Sequence, residues 1–140
     1  MSPRTNLFLA LSSCVPTCRE RDNLVRIFDM TTILEIRTTT DTASKAQILA
    51  SKLVEHSLAA CVQIDGPIQS VYRWQEKIES ASEWRLSCKT TLRNRDRLIA
   101  RIRELHDYDV PEILCLRVTA SEDYAVWVAE SCHESSDGMD

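Results

Sequence analysis

The chain is 140 residues long, 44% apolar and 27% charged, with a formal net charge of −4. That length supports one domain with its own core, the acidic balance runs against a dedicated nucleic-acid binder, and no stretch approaches the roughly eighteen consecutive apolar residues of a membrane span. Six cysteines, Cys14, Cys18, Cys61, Cys88, Cys115 and Cys132, form no Cys-x-x-Cys pair of the kind that holds zinc, and Cys61, Cys88 and Cys115 fall in predicted strands, where a free thiol reads as a small buried hydrophobe.

In chain order, residues 1–29 lack periodic apolar patterning and read as an extension expected to be disordered. Within it, Arg4 followed by LFLALSSC has the look of a lipoprotein signal ending at Cys14, but the apolar run from Leu7 to Leu11 is shorter than the roughly seven to fifteen residues of a signal core. The preferred expectation is therefore cytoplasmic. A domain spanning residues 30–131 follows. TILEIRTT at 32–39 alternates as a strand, and Asp41 offers an N-cap to a helix whose apolar stripe is Ala46, Leu49, Ala50, Leu53, Val54 and Leu58. LAACVQI at 58–64 is the next strand, broken by Asp65-Gly66-Pro67.

A hairpin then pairs residues 68–74 with 83–90. Without an Asn-Gly type of turn, the polar stretch QEKIESASE predicts a long open connection. Alternation puts Tyr72 and Trp74 on one face with Ser70, and Trp84 with Leu86 and Cys88 on a face of the partner strand. Thr91 is a candidate cap for a helix with Leu92, Leu98, Ile99, Ile102 and Leu105 on one stripe and Arg93, Arg95, Arg97, Arg101 and Arg103 around it. Pro111 blocks its continuation past His106 to Asp109. Residues 112–120 predict a last strand, and 122–131 a helix burying Tyr124, Trp127 and Val128. The polar tail, 132–140, is expected to be disordered.

The order strand, helix, strand, strand, helix, strand predicts an α+β chain of the ferredoxin-like βαββαβ type with an extra C-terminal helix: a four-stranded antiparallel sheet with helices on one face. The other face is left open, and Tyr72, Trp74 and Trp84 are available to it, so it calls for a partner.

Several stretches in register, LAACV at 58–62, VYRWQEKIE at 71–79, KTT at 89–91 and HDYDVPEI at 106–113, resemble the CutA family of divalent-cation tolerance proteins. The likeness covers roughly residues 31–131. It implies a homotrimer joined through its sheets and a link to copper and other divalent ions. The chain also departs from the family pattern. Glu76 stands where the family has a glycine before Lys77, and Asp107 stands for a proline. Thr38 and Leu105 occupy positions where copper-binding bacterial members place a cysteine and the first of two histidines, leaving His106.

Two constellations follow. His106 and Glu112, with Tyr108 between them and Cys61 brought in by the fold or by converging subunits, form a candidate site for copper or another divalent cation. The plainer alternative is that His106 caps the helix C-terminus and Glu112 pairs with a lysine. Trp74, Lys77, Glu83 and Lys89, joined by Tyr108, correspond to family positions lining a cleft between subunits, where an aromatic wall with charges could hold a small anionic ligand. Interface packing with surface ion pairs is the alternative. No nucleophile elbow, Walker loop, zinc-protease helix or dinucleotide fingerprint is present. The expected function is thus a non-catalytic trimeric protein of metal response or signalling. The rival is an RNA-binding module of the same fold, with aromatics stacking bases and the arginine-rich helix on phosphates, although WRLSCKTT lacks the RNP1 glycines and aromatic pair.

Overall fold

The structure, a computed structural model, describes residues 17–22 and 31–133. Residues 18–22 are helical and start with a reciprocal cap: Thr17 donates its N–H and hydroxyl to Glu20 at 2.7 and 2.8 Å, and Glu20 N–H donates back to the Thr17 hydroxyl at 3.3 Å. They belong to a separate unit from the one that begins at Thr31. Cys14, with the lipoprotein reading attached to it, and the tail from residue 134 lie outside the described residues.

From Thr31 onward the elements are β1 (Thr32–Thr40), α1 (Ala43–Glu55), β2 (Cys61–Trp74), β3 (Lys77–Thr90), α2 (Arg95–Leu105), β4 (Leu114–Thr119) and α3 (Glu122–Ser131). The four strands form one antiparallel sheet in the order β2-β3-β1-β4, as expected for the ferredoxin-like arrangement. Even-numbered residues of β1 and β3 point towards α1 and α2. There Ile36, Leu86 and Cys88 meet Ala46, Leu49, Leu53, Leu98 and Ile102, all buried. Ile33 alternates to the opposite face and is buried with Ala125 and Val128. The appended helix α3 therefore covers one end of the face that α1 and α2 leave open.

Local chemistry explains several departures from the sequence reading. Thr42, not Asp41, caps α1, because its hydroxyl accepts from Lys45 N–H at 3.1 Å, while Asp41 pairs with the Lys45 ammonium at 2.9 Å. The helix closes with Ser57 in the left-handed region at φ 55. Ser57 N–H donates to Val54 C=O and Leu58 N–H to Leu53 C=O, each at 3.0 Å, which is a Schellman closure. Leu58 thus ends a helix, and β2 begins only at Cys61. Asp65-Gly66-Pro67 does not break β2; the register shifts there by a bulge, with a cis Gly66–Pro67 bond, and one strand runs on to Trp74. A Cβ on Gly66 would lie 2.5 Å from Trp84 Cδ1, so only glycine lets β2 approach that ring. Trp84 is consequently packed against the main core and is not available to the open face. Trp127 and Cys115, expected inside, are exposed: α3 turns Ala125 inward beside the expected Val128, and β4 is an edge strand.

The predicted open connection in the hairpin is also absent. Trp74 pairs with Lys77 and only Gln75 and Glu76 intervene, both at positive φ, 48 and 65, as the tight turn that matches hairpin twist requires. A side chain in this region costs roughly 1–2 kcal/mol, against glycine's larger entropy loss on folding. Glu76→Gly is therefore expected to stabilise the protein by up to about 1 kcal/mol, read as a higher denaturation midpoint at fixed protein concentration. A lower midpoint would mean that the Glu76 side chain makes contacts outweighing the strain.

Candidate functional site

β1 pairs with β3 as far as Thr40 opposite Trp84. Beyond that point β2 and β3 continue alone, so residues 68–83 stand out from the sheet as a two-stranded ribbon. Between this ribbon and the loop after α2 lies an open cleft of about 820 Å³, walled by Ile68, Tyr72 and Trp74 on one side and by Tyr108 and Glu112 on the other. Glu83 lies at the ribbon's base and is only 8% exposed. Tyr108 donates its phenol O–H to Glu83 Oε2 at 3.1 Å. Burial, followed by the Glu83 charge and this hydrogen bond, pushes the Tyr108 phenol well above its ordinary range, which keeps the proton on the phenol and the bond in place.

His106 follows α2, with a side chain 1% exposed. Its Nδ1 accepts from Tyr108 N–H at 3.1 Å, and its Nε2 lies 2.7 Å from Thr39 C=O. A nitrogen facing an N–H must present a lone pair, and one facing a carbonyl must carry the proton. The ring is thus the neutral Nε2–H tautomer with both nitrogens committed. His106 ties the loop after α2 to the end of β1, and it is also the C-cap of α2: its backbone N–H donates to Ile102 C=O at 2.9 Å, while its ring bonds outside the helix.

The other predicted metal residues are elsewhere. Glu112 is exposed at the cleft rim. Cys61 pairs across the sheet with Lys89, whereas Thr39 pairs with Arg85, a separation of roughly 13 Å along β3. Among the described residues no three His, Cys, Asp or Glu side chains converge as a metal site. Within this chain His106, Glu112 and Cys61 are therefore not a set, because sequence proximity and strand order say nothing of which lone pairs are already used. Thr38 is fully buried with its hydroxyl unpartnered, on the sheet side facing the helices.

The predicted ligand residues divide likewise. Trp74, Glu83 and Tyr108 share the cleft. Lys77 sits opposite Trp74 at the ribbon tip. Lys89 is at the far end of the sheet, where its ammonium meets Glu35 at 3.2 Å. Burial would raise the Glu35 carboxyl, but hydrogen bonds from Arg37 and Lys89 outweigh it and hold the group below its usual range. The cleft also gathers residues that sequence reasoning missed. Asp41, Asp107 and Asp109 line it, and Arg85 is its one cationic lining residue. Two of the three aspartates flank Tyr108 in HDYD, which was the available signal; Asp41 joins only through tertiary contact.

The RNA reading loses its platform. On the open face, β1 and β3 present Glu35, Arg37, Thr39, Arg85, Ser87 and Lys89, with no aromatic among them, and Trp84 is turned to the core.

Residues 34–131 match the family model described as CutA1 divalent ion tolerance protein. A divalent-cation tolerance protein CutA from Thermus thermophilus is 39% identical over 87 residues, covering 61% of this chain and 84% of that one. The chloroplastic protein CutA of Arabidopsis thaliana is 40% identical over 84 residues, covering 59% of this chain and 46% of its own length, so the match takes in about half of that relative. The crystal structure of CutA1 from Ehrlichia chaffeensis superposes with a TM-score of 0.71 at 30% identity, over 75% of this chain and 99% of that one.

The two hydrogen bonds of His106 generate a prediction. His106→Ala leaves the Thr39 carbonyl and the Tyr108 N–H without partners and should lower stability by roughly 2 kcal/mol, seen as an earlier unfolding midpoint, while copper affinity measured by calorimetry stays that of the wild type. Loss of copper binding with unchanged stability would show instead that the ring is a ligand.

Proposed function

The chain belongs to the CutA1 divalent ion tolerance family, and from that premise we propose that it is a non-catalytic homotrimer acting in the response to divalent metal ions, with an ion or small ligand held in the cleft beside the ribbon. The observation that carries the assembly is the ribbon itself. Val71 and Ile78 are 69% and 64% exposed on one of its faces, and Tyr72 and Trp74 are 44% and 45% exposed on the other. A two-stranded ribbon on its own is marginal in water, and its free outer edge, like that of β4, offers backbone groups to another chain. Further copies of the same chain supply both needs. That they close as three draws on the family likeness, since exposed edges do not select a ring size.

A divalent ion in this reading is a transient cargo of the cleft carboxylates rather than a resident group. The copper ligands of bacterial members have no counterpart at Thr38 and Leu105, and His106 is hydrogen-bonded at both nitrogens. No described helix is long and apolar enough to cross a membrane, and the plant relative is named chloroplastic, so family membership does not by itself assign the expected cytoplasmic compartment.

Light scattering at micromolar concentration tests the assembly. The wild type should have three times the chain mass, and a Val71→Asp, Ile78→Asp double variant should fall towards the monomer, because each charge would be buried without a partner. A wild type that is a stable monomer would overturn the proposal.

A further inference from the structure

We propose that a second, smaller pocket, on the helix side of the sheet between α1 and the end of α2, receives a small hydrophobic monocarboxylate. Its apolar body lies against Ile48, Leu49 and Leu105, and its carboxylate meets the Lys52 ammonium. The contacts proposed between copies of the chain run through the ribbon and the strand edges, so this site does not depend on them.

The pocket follows from where α2 stops. The helix ends at Leu105, and the His106 ring, bonded to Thr39 C=O, carries the chain down to β1. The flank of α1 from Lys45 to Lys52 is left without a neighbouring helix beside it, and a pocket of about 170 Å³ opens there. Along this flank Lys45, Ile48, Leu49 and Lys52 follow the three- and four-residue spacing that puts side chains on one helix face. Leu49 is buried and Ile48 is 54% exposed, so the apolar pair runs from the core out to the rim with a lysine on either side. The two lysines are seven residues apart, roughly 10.5 Å along the helix.

The lysines differ in what they have left to offer. Lys45 is held by Asp41 and Asp107, which neutralises that end of the pocket. Lys52 forms no ion pair among the described residues, and its charge is the one in the lining without a counterpart. The imidazole of His106 is neutral with both nitrogens bonded, so it contributes a ring surface and no further bond. An apolar pocket with a single unanswered cation at one end selects an occupant of the complementary kind, a hydrophobic body carrying one anionic head. The volume sets its size, since a cavity of about 150 Å³ accommodates one benzene ring. A cationic head would meet Lys52 with its own sign, and a neutral one would leave that ammonium unanswered.

Titration of the full chain at physiological salt with hexanoate, acetate, hexan-1-ol and hexylamine, followed by backbone amide shifts, tests this. Hexanoate is expected to saturate, with shifts centred on residues 45–52 and 105–107 and an affinity about tenfold above those of the other three. Lys52→Gln should lower hexanoate affinity to that of hexan-1-ol. Ile48→Glu, at a position open enough to water to take a charge, should abolish binding, with both variants keeping the melting temperature of the wild type. Hexanoate binding unchanged by the two substitutions, or shifts centred elsewhere, would overturn the proposal. Hexan-1-ol or hexylamine binding as tightly as hexanoate would also overturn it, because the pocket would then not select charge, and so would acetate binding as tightly, because Lys52 would then attract an anion without the pocket. Absence of saturation by hexanoate would overturn it outright. None of these results bears on the cleft beside the ribbon or on the number of chains in the assembly, which light scattering reads separately.

Discussion

A two-stranded ribbon that outgrows its sheet is an unstable object, and most of this molecule can be understood from that constraint. β2 and β3 are each 14 residues long, whereas β1 has 9 and β4 has 6. The shorter strands cannot flank the hairpin along its whole length, and α1 and α2 cover only the part that β1 also supports. The excess length exposes apolar side chains on both faces, and neither the helices nor α3 reach it. In the proposed assembly, further copies of the chain stabilise this region; the cleft exists because the ribbon stands clear of the loop after α2.

Where the ribbon leaves the sheet, polar contacts hold the two cleft walls in fixed relation. His106 joins the loop to β1, Tyr108 joins it to Glu83 on β3, and Asp107 joins it to Lys45 of α1. These groups lie in one short stretch after α2, and each contacts a different element. A histidine and a tyrosine that look like ligands in the sequence thereby serve as anchors, the tyrosine holding the buried Glu83 carboxylate at the ribbon's base.

Much of the fold was legible because it rests on periodicity. Ala46, Leu49 and Leu53, and likewise Leu98 and Ile102, recur at helical spacing and are buried where that spacing puts them. The failures have a different origin. Gln75-Glu76 has no turn residue, yet the pairing of two long strands forces it to positive φ; the tertiary constraint overrides local preference. Gly66 looked like a strand breaker but is a point of close approach to Trp84, a fact that resides in a partner strand. Of the residues named from the sequence as ligand-binding, Trp74, Glu83 and Tyr108 do come to line one cleft, because the hairpin and the helix-terminal loop that carry them face each other. Lys89 lies six residues along β3 from Glu83, and Cys61 is paired opposite Lys89, so both sit at the other end of the sheet from the cleft. The commitment of both His106 nitrogens depends on a carbonyl 67 positions away in the chain.

Backbone hydrogen exchange of the native protein tests the ribbon most directly. If residues 68–83 are covered by further copies of the chain, their amides should be protected to a degree comparable with those of β1, and protection should fall on dilution into the dissociating range while β1 retains its own. Fast exchange of the ribbon at concentrations where the core is fully protected would contradict the account, since it would mean that the ribbon stands free in water and that its stability does not come from assembly.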